Sequence, residues 1–394
     1  MEPEFVRTDG TLFRVGERPF PVVGVNCYFL AYCSDTSRLA VITAAKQMGA
    51  NAIRAWAFLN VDNRSPGAVA FQYRNNGDIT VDGGPDGMER LDALIEAAEQ
   101  QGLRLILPLV NYWNDFGGMA LYLQWLGITG GVEQFYVASA ARTAYQNWLQ
   151  AVLTRRNTRT GRLYSEEPSI MAWELANEAR CGVPGGRELF LDWVGEMSRF
   201  VKGLDSNHLL AVGDEGFLLH ADTNDPLYDG TYGVDGEAIL DFGEIDFGTY
   251  HFYPSTMKHP NDFADTWVKD HVASGRRANK PMILEEYGLG LSDTVTPTER
   301  NQWYSRWLES VFQAGGAGDL LWMIGGAQAE IAGFHDEYTV LSGTEVPAIA
   351  AHAAQMGTTQ QDAFTPSAAV PGITQNGLNR GCCDAFFSRR SYHR

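Results

Sequence analysis

The segment MERLDALIEAAEQQGLRLILPLVN (residues 88–111) contains a helix pattern followed directly by a strand pattern. In its first half, apolar residues such as Leu91 and Leu94 recur at helical spacing, and Gly102 is placed to end the helix. Its second half is a nearly continuous apolar run that ends at the polar Asn111, which predicts a strand buried on both faces. A helix followed at once by a buried strand is the repeating unit of parallel α/β proteins.

This unit recurs along most of the chain. Apolar runs of strand length alternate with helical patterns, among them one long helix predicted over residues 133–153. Eight such strands predict an α/β fold, a (β/α)8 TIM barrel. A doubly wound sheet that binds a dinucleotide would carry GxGxxG after its first strand, and VVGVNCYF has no such motif. The predicted strands lie in PFPVVGVN, NAIRAW, LRLILPLVN, SIMAWELANE, HLLAVGDEG, IDFGTYHFYP, PMILEEYG and DLLWMIGG.

The end of the chain differs in composition from the rest. From Thr358 onward it is rich in Thr, Gln, Pro, Ser, Gly and Asn and shows neither a helical nor a strand period. We therefore expect a single barrel domain over residues 1–357 and a disordered tail over residues 358–394.

The charge limits the possible partners. The chain has 48 acidic and 30 basic residues, a net charge of −18, which repels phosphate backbones and anionic membranes. We expect no nucleic-acid partner and no membrane association, and no apolar run approaches the length of a membrane-spanning helix. We also expect a monomer. The first residues, MEPEFVRTDG, lack the pattern of a signal peptide, so the compartment stays open between the cytoplasm and, after removal of a leader, the extracellular space.

The cysteines do not form a recognisable framework. An odd, sparse count of five predicts neither a disulfide scaffold nor a zinc site, because no CxxC pair is present. Cys27 and Cys33 could form a disulfide in a secreted protein, or they could be two buried or free thiols.

Polar side chains fall at the carboxyl ends of the predicted strands. In a (β/α)8 barrel the chemistry sits at this end, because the loops that follow the strands meet at one mouth. Amides, an arginine, a histidine, carboxylates and indoles at eight successive strand ends therefore predict one polar site. These residues are Asn26, Arg54, Trp56, Asn111, Tyr112, Trp113, Asn177, Glu178, Asp214, Glu215, His251, Tyr253, Glu286 and Trp322.

Two of the carboxylates have the placement that glycoside hydrolysis needs. Glu178 lies just past the fourth strand, whereas Glu174 is predicted to face away from Asn177 and to act as a structural ion-pair member. Of Glu285 and Glu286 at the end of the seventh strand, alternation predicts that one alone faces the substrate. Strands four and seven lie across the mouth of a barrel, so two carboxylates could hold a sugar between them.

The motifs WELANE, TYHFYP, LEEYG and NAIRAW resemble the mannanase branch of glycoside hydrolase family 5 over roughly residues 10–356. The resemblance implies a retaining glycosidase of endo-β-1,4-mannanase type, with residues 1–357 as the catalytic domain and no metal or cofactor. Its substrates would be mannan, glucomannan and galactomannan. It further implies that Glu178 is the acid/base and Glu286 the nucleophile.

The resemblance also assigns the surrounding residues. Arg54 would sit under Glu286 and keep it charged, because a neighbouring cation favours the charged form of a carboxylate. Asn177 would hold the sugar 2-hydroxyl, Tyr253 would donate to Glu286, and Trp322 would stack on the sugar before the cleaved bond. The remaining implied substrate-binding residues are His251 on the acid/base side, Asn111, Trp113 and Trp56 along the cleft, and Arg180 on the leaving-group side.

Several alternatives remain open from the sequence. Ala179 replaces the usual proline after the acid/base, and Met257 stands where a tryptophan often follows, which leaves endo or exo action open. An exo-acting β-mannosidase or a β-1,4-glucanase would use the same carboxylates. A non-catalytic carbohydrate-binding barrel would be expected to lose one of them. A metal-dependent hydrolase would want His-x-His after the first strand or a cluster of carboxylates and histidines, and the sequence shows neither. Asp214 and Glu215 could bind substrate or brace their loop.

Overall fold

A computed structural model describes residues 4–357, apart from residues 293 and 342. The predicted tail of residues 358–394 lies outside this part of the chain. The strands of the described residues are β1 (Val6–Asp9), β2 (Leu12–Val15), β3 (Arg18–Pro19), β4 (Val22–Asn26), β5 (Ala52–Arg54), β6 (Asn60–Val61), β7 (Gln72–Asn75), β8 (Asp78–Val81), β9 (Arg104–Pro108), β10 (Ile170–Glu174), β11 (Leu209–Ala211), β12 (Gly248–Phe252), β13 (Met282–Tyr287) and β14 (Gly318–Leu321).

Helices alternate with these strands and cover the outside of the sheet. They are α1 (Asp35–Gln47), α2 (Glu89–Gln101), α3 (Met119–Leu126), α4 (Gln134–Val137), α5 (Ser139–Leu153), α6 (Gly186–Leu204), α7 (Gly236–Leu240), α8 (Pro254–Met257), α9 (Ala264–Ala278), α10 (Pro297–Ala314) and α11 (Pro347–Met356). Gly102 ends α2 with φ 69°, the left-handed backbone that glycine adopts without a steric penalty, as its position in the sequence predicts. None of the helices in the described residues is both long and apolar enough to cross a bilayer.

Eight parallel strands form the barrel, in the order β11-β10-β9-β5-β4-β14-β13-β12. The two outer strands of this order are joined by hydrogen bonds from Asp246 N to Leu210 O (2.8 Å) and from His251 N to Glu215 O (3.2 Å). The predicted α/β barrel is therefore confirmed. All five residues of β4, β9, β10 and β12 are buried, which explains why these strands are continuous apolar runs in the sequence.

The structure differs from the predicted elements in two respects. The single helix predicted over residues 133–153 is two helices, α4 and α5, because Ala138 between them is extended (φ −72°, ψ 121°). The patterns did not identify the hairpin β1–β3, the small sheet β6–β8, or the helices α3 and α11. His208 and His271 are buried and hydrogen-bonded to the carbonyls of Glu167 and Gly216.

The three cysteines within the described residues, Cys27, Cys33 and Cys181, are buried free thiols. Cys27 and Cys33 therefore form no disulfide in this structure, and the alternative of two buried thiols is confirmed. Burial raises the pKa of Cys33 to about 11, so this thiol is uncharged at neutral pH.

A buried ion pair attaches the C-terminal helix to the barrel. His352 on α11 lies with its Nε2 atom 2.7 Å from Asp319 Oδ2 on β14. Burial opposes the imidazolium charge, but the Asp319 carboxylate outweighs it and raises the pKa of His352 above its usual range. Since a raised histidine pKa stabilises the fold below the unfolded pKa, this contribution is complete below about pH 6.5 and is lost at higher pH.

We expect His352→Gln to lower the free energy of unfolding by about 3 kcal/mol at pH 6, because Asp319 then stays buried without its cationic partner. The loss should be smaller at pH 9, where the wild-type imidazole has lost much of its charge. Chemical denaturation at both values measures the difference, with the exposed His220→Gln as the matched control. An equal loss at both pH values would show that the charge of His352 contributes nothing.

Candidate active site

The carboxyl ends of the barrel strands bring a set of buried charged side chains together. Arg54 ends β5, Glu178 follows β10, His251 lies on β12, and Glu285 and Glu286 lie on β13. All five are fully buried. Buried charges are stable when they are paired and hydrogen-bonded, so the contacts among these groups determine what the site can do.

Arg54 is the centre of the network. Its Nη1 atom donates to Glu286 Oε1 at 2.7 Å, and its Nε atom donates to Glu174 Oε2 at 2.9 Å. Its Nη2 atom donates to Asn177 Oδ1 at 2.8 Å. Burial disfavours the guanidinium charge, but the surrounding carboxylates raise the pKa of Arg54 above its usual range. The arginine therefore carries a permanent charge that fixes three neighbouring side chains.

Glu286 is held at both oxygens. Arg54 donates to Oε1, and the Tyr253 hydroxyl donates to Oε2 at 2.7 Å. Two donors, one at each oxygen, fix the orientation of this carboxylate. The side chain therefore has the fixed direction that a nucleophile needs.

Glu178 faces the same space from the opposite side. Its Oε1 atom lies 3.0 Å from His251 Nδ1, and its Oε2 atom accepts a hydrogen bond from Trp113 Nε1 at 2.6 Å. The backbone of Glu178 is left-handed (φ 51°), which is uncommon for a residue other than glycine and concentrates at functional sites. Glu178 N donates to Gly213 O at 2.8 Å, which holds this turn in place.

His251 connects the two carboxylates. Its Nδ1 atom lies 3.0 Å from Glu178 Oε1 and 3.6 Å from Glu286 Oε2. One oxygen of each glutamate and the imidazole nitrogen all lie within 4.8 Å of one another. Retaining glycosidases hold their two carboxyl groups about 5–5.5 Å apart, whereas inverting enzymes hold them about 6.5–9.5 Å apart. The spacing is that of the retaining class.

Glu285 corrects a prediction from strand alternation. Glu285 and Glu286 were expected to face opposite ways, but Glu285 Oε2 lies 3.5 Å from Arg54 Nε and 3.3 Å from His251 Nε2. The register of β12 and β13 shifts after Tyr250, so that Glu285 is an extra residue in its strand. A bulge of this kind turns two successive side chains towards the same side.

Glu174 and Asn177 correct a second prediction of the same kind. They were expected on opposite faces of one extended strand, yet both contact the guanidinium of Arg54. The strand β10 ends at Glu174, and the chain bends at Leu175, so the alternation does not continue to Asn177. The expectation that Glu174 belongs to a structural ion pair agrees with its contact to Arg54.

Glu174 and Glu285 differ in protonation although both lie against Arg54. Burial raises the pKa of Glu174 well above its usual range. Burial also acts on Glu285, but Arg54, Glu174 and His251 together lower the pKa of Glu285 to about 2. Glu285 is therefore the charged member at neutral pH, and Glu174 keeps its proton.

We expect Glu174→Gln to keep the kcat within about tenfold of wild type, because an amide can replace a neutral carboxyl group at this site. Glu285→Gln should instead cost about 3–5 kcal/mol of unfolding free energy, since it removes the charged partner of Arg54. Chemical denaturation and initial rates on both isosteric variants test this difference. Equal losses in the two variants would show that the proton does not reside on Glu174.

The comparisons with known proteins identify the family. The sequence model described as "GH family 5 beta-mannosidase-like" matches residues 3–330. The chain is 34% identical over 342 residues to mannan endo-1,4-beta-mannosidase A of Podospora anserina, which covers 86% of this chain and 87% of the relative. This chain belongs to glycoside hydrolase family 5.

Two further similarities support the assignment of this hydrolase to family 5. It is 33% identical over 341 residues to mannan endo-1,4-beta-mannosidase A of Hypocrea jecorina, covering 85% of this chain and 74% of that protein. The crystal structure of the endo-1,4-beta-mannanase from Rhizomucor miehei superposes with a TM-score of 0.82 at 32% identity, covering 90% of this chain and 99% of that structure. The predicted family resemblance is therefore confirmed.

Arg180 of the hydrolase is fixed beside Glu178. Its Nε and Nη2 atoms donate to the two oxygens of Glu215 at 2.5 and 2.7 Å. Its guanidinium lies over the rings of Tyr232, Trp113 and Phe217 at 4.4, 5.1 and 5.2 Å from their centroids. Glu215 thus braces Arg180. The neighbouring Asp214 accepts a hydrogen bond from Gly216 N, and burial raises the pKa of Asp214 to about 7.

The predicted aromatic residues lie on the other side of the mouth. Trp322 donates from Nε1 to Asp336 Oδ2 at 2.8 Å, and its ring is nearly parallel to that of Tyr28. Trp56 is 4% exposed and packs on Phe58 at 4.9 Å between centroids. Asn111 is buried, and its Oδ1 atom accepts a hydrogen bond from Asn177 Nδ2 at 3.0 Å. This contact helps to fix the orientation of the Asn177 side chain.

Sequence reasoning missed three residues that support this site. Glu285 was visible in LEEYG, but alternation predicted that only one of Glu285 and Glu286 faces the site, because a bulge leaves no signal in an apolar run. Asp336 contacts Trp322 from a loop and Tyr28 contacts it from the short 3-10 helix Tyr28–Ala31, where no strand end points to them.

The charge state of His251 opposes metal binding at this constellation. Among the residues that the structure describes, the set of three potential ligands is Glu178, His251 and Glu286. Burial opposes the charge of His251, but Glu286 and Glu178 raise the pKa of His251 to about 10. A histidine must be neutral to bind a metal ion, so the proton on His251 opposes coordination at neutral pH.

Proposed function

We propose that this family 5 hydrolase is a retaining endo-β-1,4-mannanase that cleaves internal bonds of mannan, glucomannan and galactomannan. The observation that carries the proposal is the pair Glu178 and Glu286, with carboxylate oxygens within 4.8 Å of each other. Relatives that share a third of its sequence over most of its length are named mannan endo-1,4-beta-mannosidases, which supports this bond specificity. The catalytic domain would span residues 1–357.

In the first step, Glu286 attacks the anomeric carbon and forms a glycosyl ester while the bond to the leaving-group oxygen breaks. Glu178 gives its proton to that oxygen, so the leaving sugar departs as a neutral alcohol. Arg54 and Tyr253 hold the Glu286 carboxylate in position before the attack.

In the second step, Glu178 accepts a proton from a water molecule, which attacks the same carbon and releases Glu286. Two inversions at one carbon give net retention of the anomeric configuration. His251 contacts Glu178 in both steps, and its positive charge stabilises the carboxylate that remains after the first proton transfer.

The remaining predicted residues take roles in binding. Asn177, fixed by Arg54 and Asn111, would donate its second amide hydrogen to the sugar 2-hydroxyl. Trp322 would stack on the sugar before the cleaved bond, and Arg180 would contact the leaving-group sugar. Trp56 and Asn111 would support this surface from beneath, because both are buried.

The early product profile tests the proposal. Linear β-1,4-mannan and mannopentaose are incubated briefly, and the products are separated by chromatography. A mixture of mannobiose, mannotriose and longer products is expected from an endo-acting enzyme. Mannose alone from the first time point would establish an exo-acting β-mannosidase instead. Activity on β-1,4-glucan but not on mannan would move the specificity to the glucanases, and Glu286→Ala prepared in parallel excludes a contaminating activity.

A further inference from the structure

The indole of Trp113 contacts the acid/base carboxylate directly. Trp113 lies on the loop after β9, where its backbone N–H donates to Asn111 Oδ1 at 3.3 Å. Its ring packs against the guanidinium of Arg180, and Arg180 is held by both oxygens of Glu215. The indole Nε1 donates to Glu178 Oε2 at 2.6 Å, a short distance for an N–H donor. The ring is therefore held from two sides with its N–H aimed at Glu178.

The chemistry of the indole makes this contact directional. An indole nitrogen donates one hydrogen bond and accepts none, so it cannot take part in proton transfer. A donor to a carboxylate is stronger when the carboxylate is charged, and charged hydrogen bonds are roughly twice as strong as neutral ones. The contact therefore stabilises the ionised form of Glu178 more than the protonated form.

Charged side chains from other elements also lie around Glu178. His251 on β12 lies at Oε1, and Glu286 on β13 lies near the same Nδ1 atom of His251. Arg180 and Glu215 form their own ion pair on the leaving-group side. Trp113 is the uncharged donor in this set, so removing it leaves the formal charges of the neighbours unchanged.

We propose that Trp113 is a positioning residue that makes Glu178 a stronger acid, by stabilising the carboxylate that forms as the proton moves to the leaving-group oxygen. This inference rests on the proposed function, in which Glu178 is the acid/base. A role as a sugar-stacking surface would require only the ring of Trp113. The positioning role requires its N–H group.

Trp113→Phe tests this difference, because it keeps an aromatic ring and removes the donor. The kcat/KM on mannopentaose is measured from pH 4 to pH 10. The alkaline limb of this pH profile reports the coupled titration of Glu178 and His251. It is expected to move upward by about one pH unit. The kcat/KM at the pH optimum should fall about tenfold on mannopentaose and much less on an activated aryl β-mannoside, which needs little protonation. A higher KM with an unmoved limb would overturn the proposal.

Tyr232→Phe is the matched control. Tyr232 also packs on Arg180, whose guanidinium lies 4.4 Å from the centroid of its ring. The alkaline limb should stay in place in this variant, and an equal shift would show that the effect arises from Arg180 rather than from the N–H group. Trp113→Met, which also lacks the donor, replaces the phenylalanine variant if thermal unfolding shows that the latter is poorly folded.

Failure of this inference and failure of the proposed function give different results. If Glu178→Ala keeps full activity on mannopentaose, Glu178 is not the acid and the proposed function fails. If Glu178→Ala shows the expected dependence on the leaving group while Trp113→Phe leaves the limb unmoved, only the role of Trp113 is refuted.

Discussion

Replacing Glu286 with alanine is expected to lower kcat on β-1,4-mannan by about 10⁴-fold or more, because the variant cannot form the glycosyl ester. Arg54 keeps its contacts with Glu174, Asn177 and Glu285 in this variant, so the barrel should remain folded. Initial rates together with circular dichroism measure both effects. The rate loss should be the same on mannan and on activated aryl β-mannosides, since both need the nucleophile.

The choice of control follows from the structure. If side chains alternated strictly along β13, Glu285→Ala would be the obvious control for Glu286→Ala. Glu285 instead contacts both Arg54 and His251. Glu188, whose side chain is 69% exposed on α6, is a better control, and Glu188→Ala should leave kcat unchanged. A Glu286→Ala variant that turns over mannan at the wild-type rate would refute the nucleophile assignment.

Replacing Glu178 with alanine is expected to give a loss that depends on the leaving group. On mannan the rate should fall by about 10²–10⁴-fold, the usual contribution of a general acid. On an aryl β-mannoside with a strongly acidic phenol, the first step should be almost unaffected, because that leaving group needs little protonation. The second step still lacks its base, so the glycosyl ester should accumulate and appear as a burst of released phenol.

Azide provides an independent check on the same variant. A small anion that fits the space of the lost carboxylate needs no general base, so it should restore turnover and give a β-mannosyl azide. Equal rate losses on mannan and on activated substrates, without an azide product, would show that Glu178 is not the acid/base.

Local sequence patterns predicted the barrel because each strand is buried on both faces. A run such as LRLILP is stable only where both of its faces are buried, so helices with one apolar face must pack over it. The break at Ala138 and the helix α11 left no such signal. Ala138 is neither glycine nor proline, and α11 is short and alanine-rich, held in part by the contact of His352 with Asp319 on a distant strand.

The same limit applies to the site. The strand ends pointed to Glu178 and Glu286 because the end of a barrel strand is fixed by topology. The direction of a side chain depends on register, and neither the bulge at Glu285 nor the early end of β10 at Glu174 changes the apolar pattern. The network around Arg54 therefore could not be predicted from local patterns, because it depends on how strands that are far apart in sequence pair with each other.

The most direct test of the central claim is to identify the residue that forms the covalent intermediate. A 2-deoxy-2-fluoro-β-mannosyl fluoride slows the second step and traps the glycosyl ester, and peptide mass spectrometry then locates the label within LEEYG. We predict one label per chain, on Glu286. A label on Glu285 or Glu178, or hydrolysis of mannan with inversion at the anomeric carbon, would contradict the account.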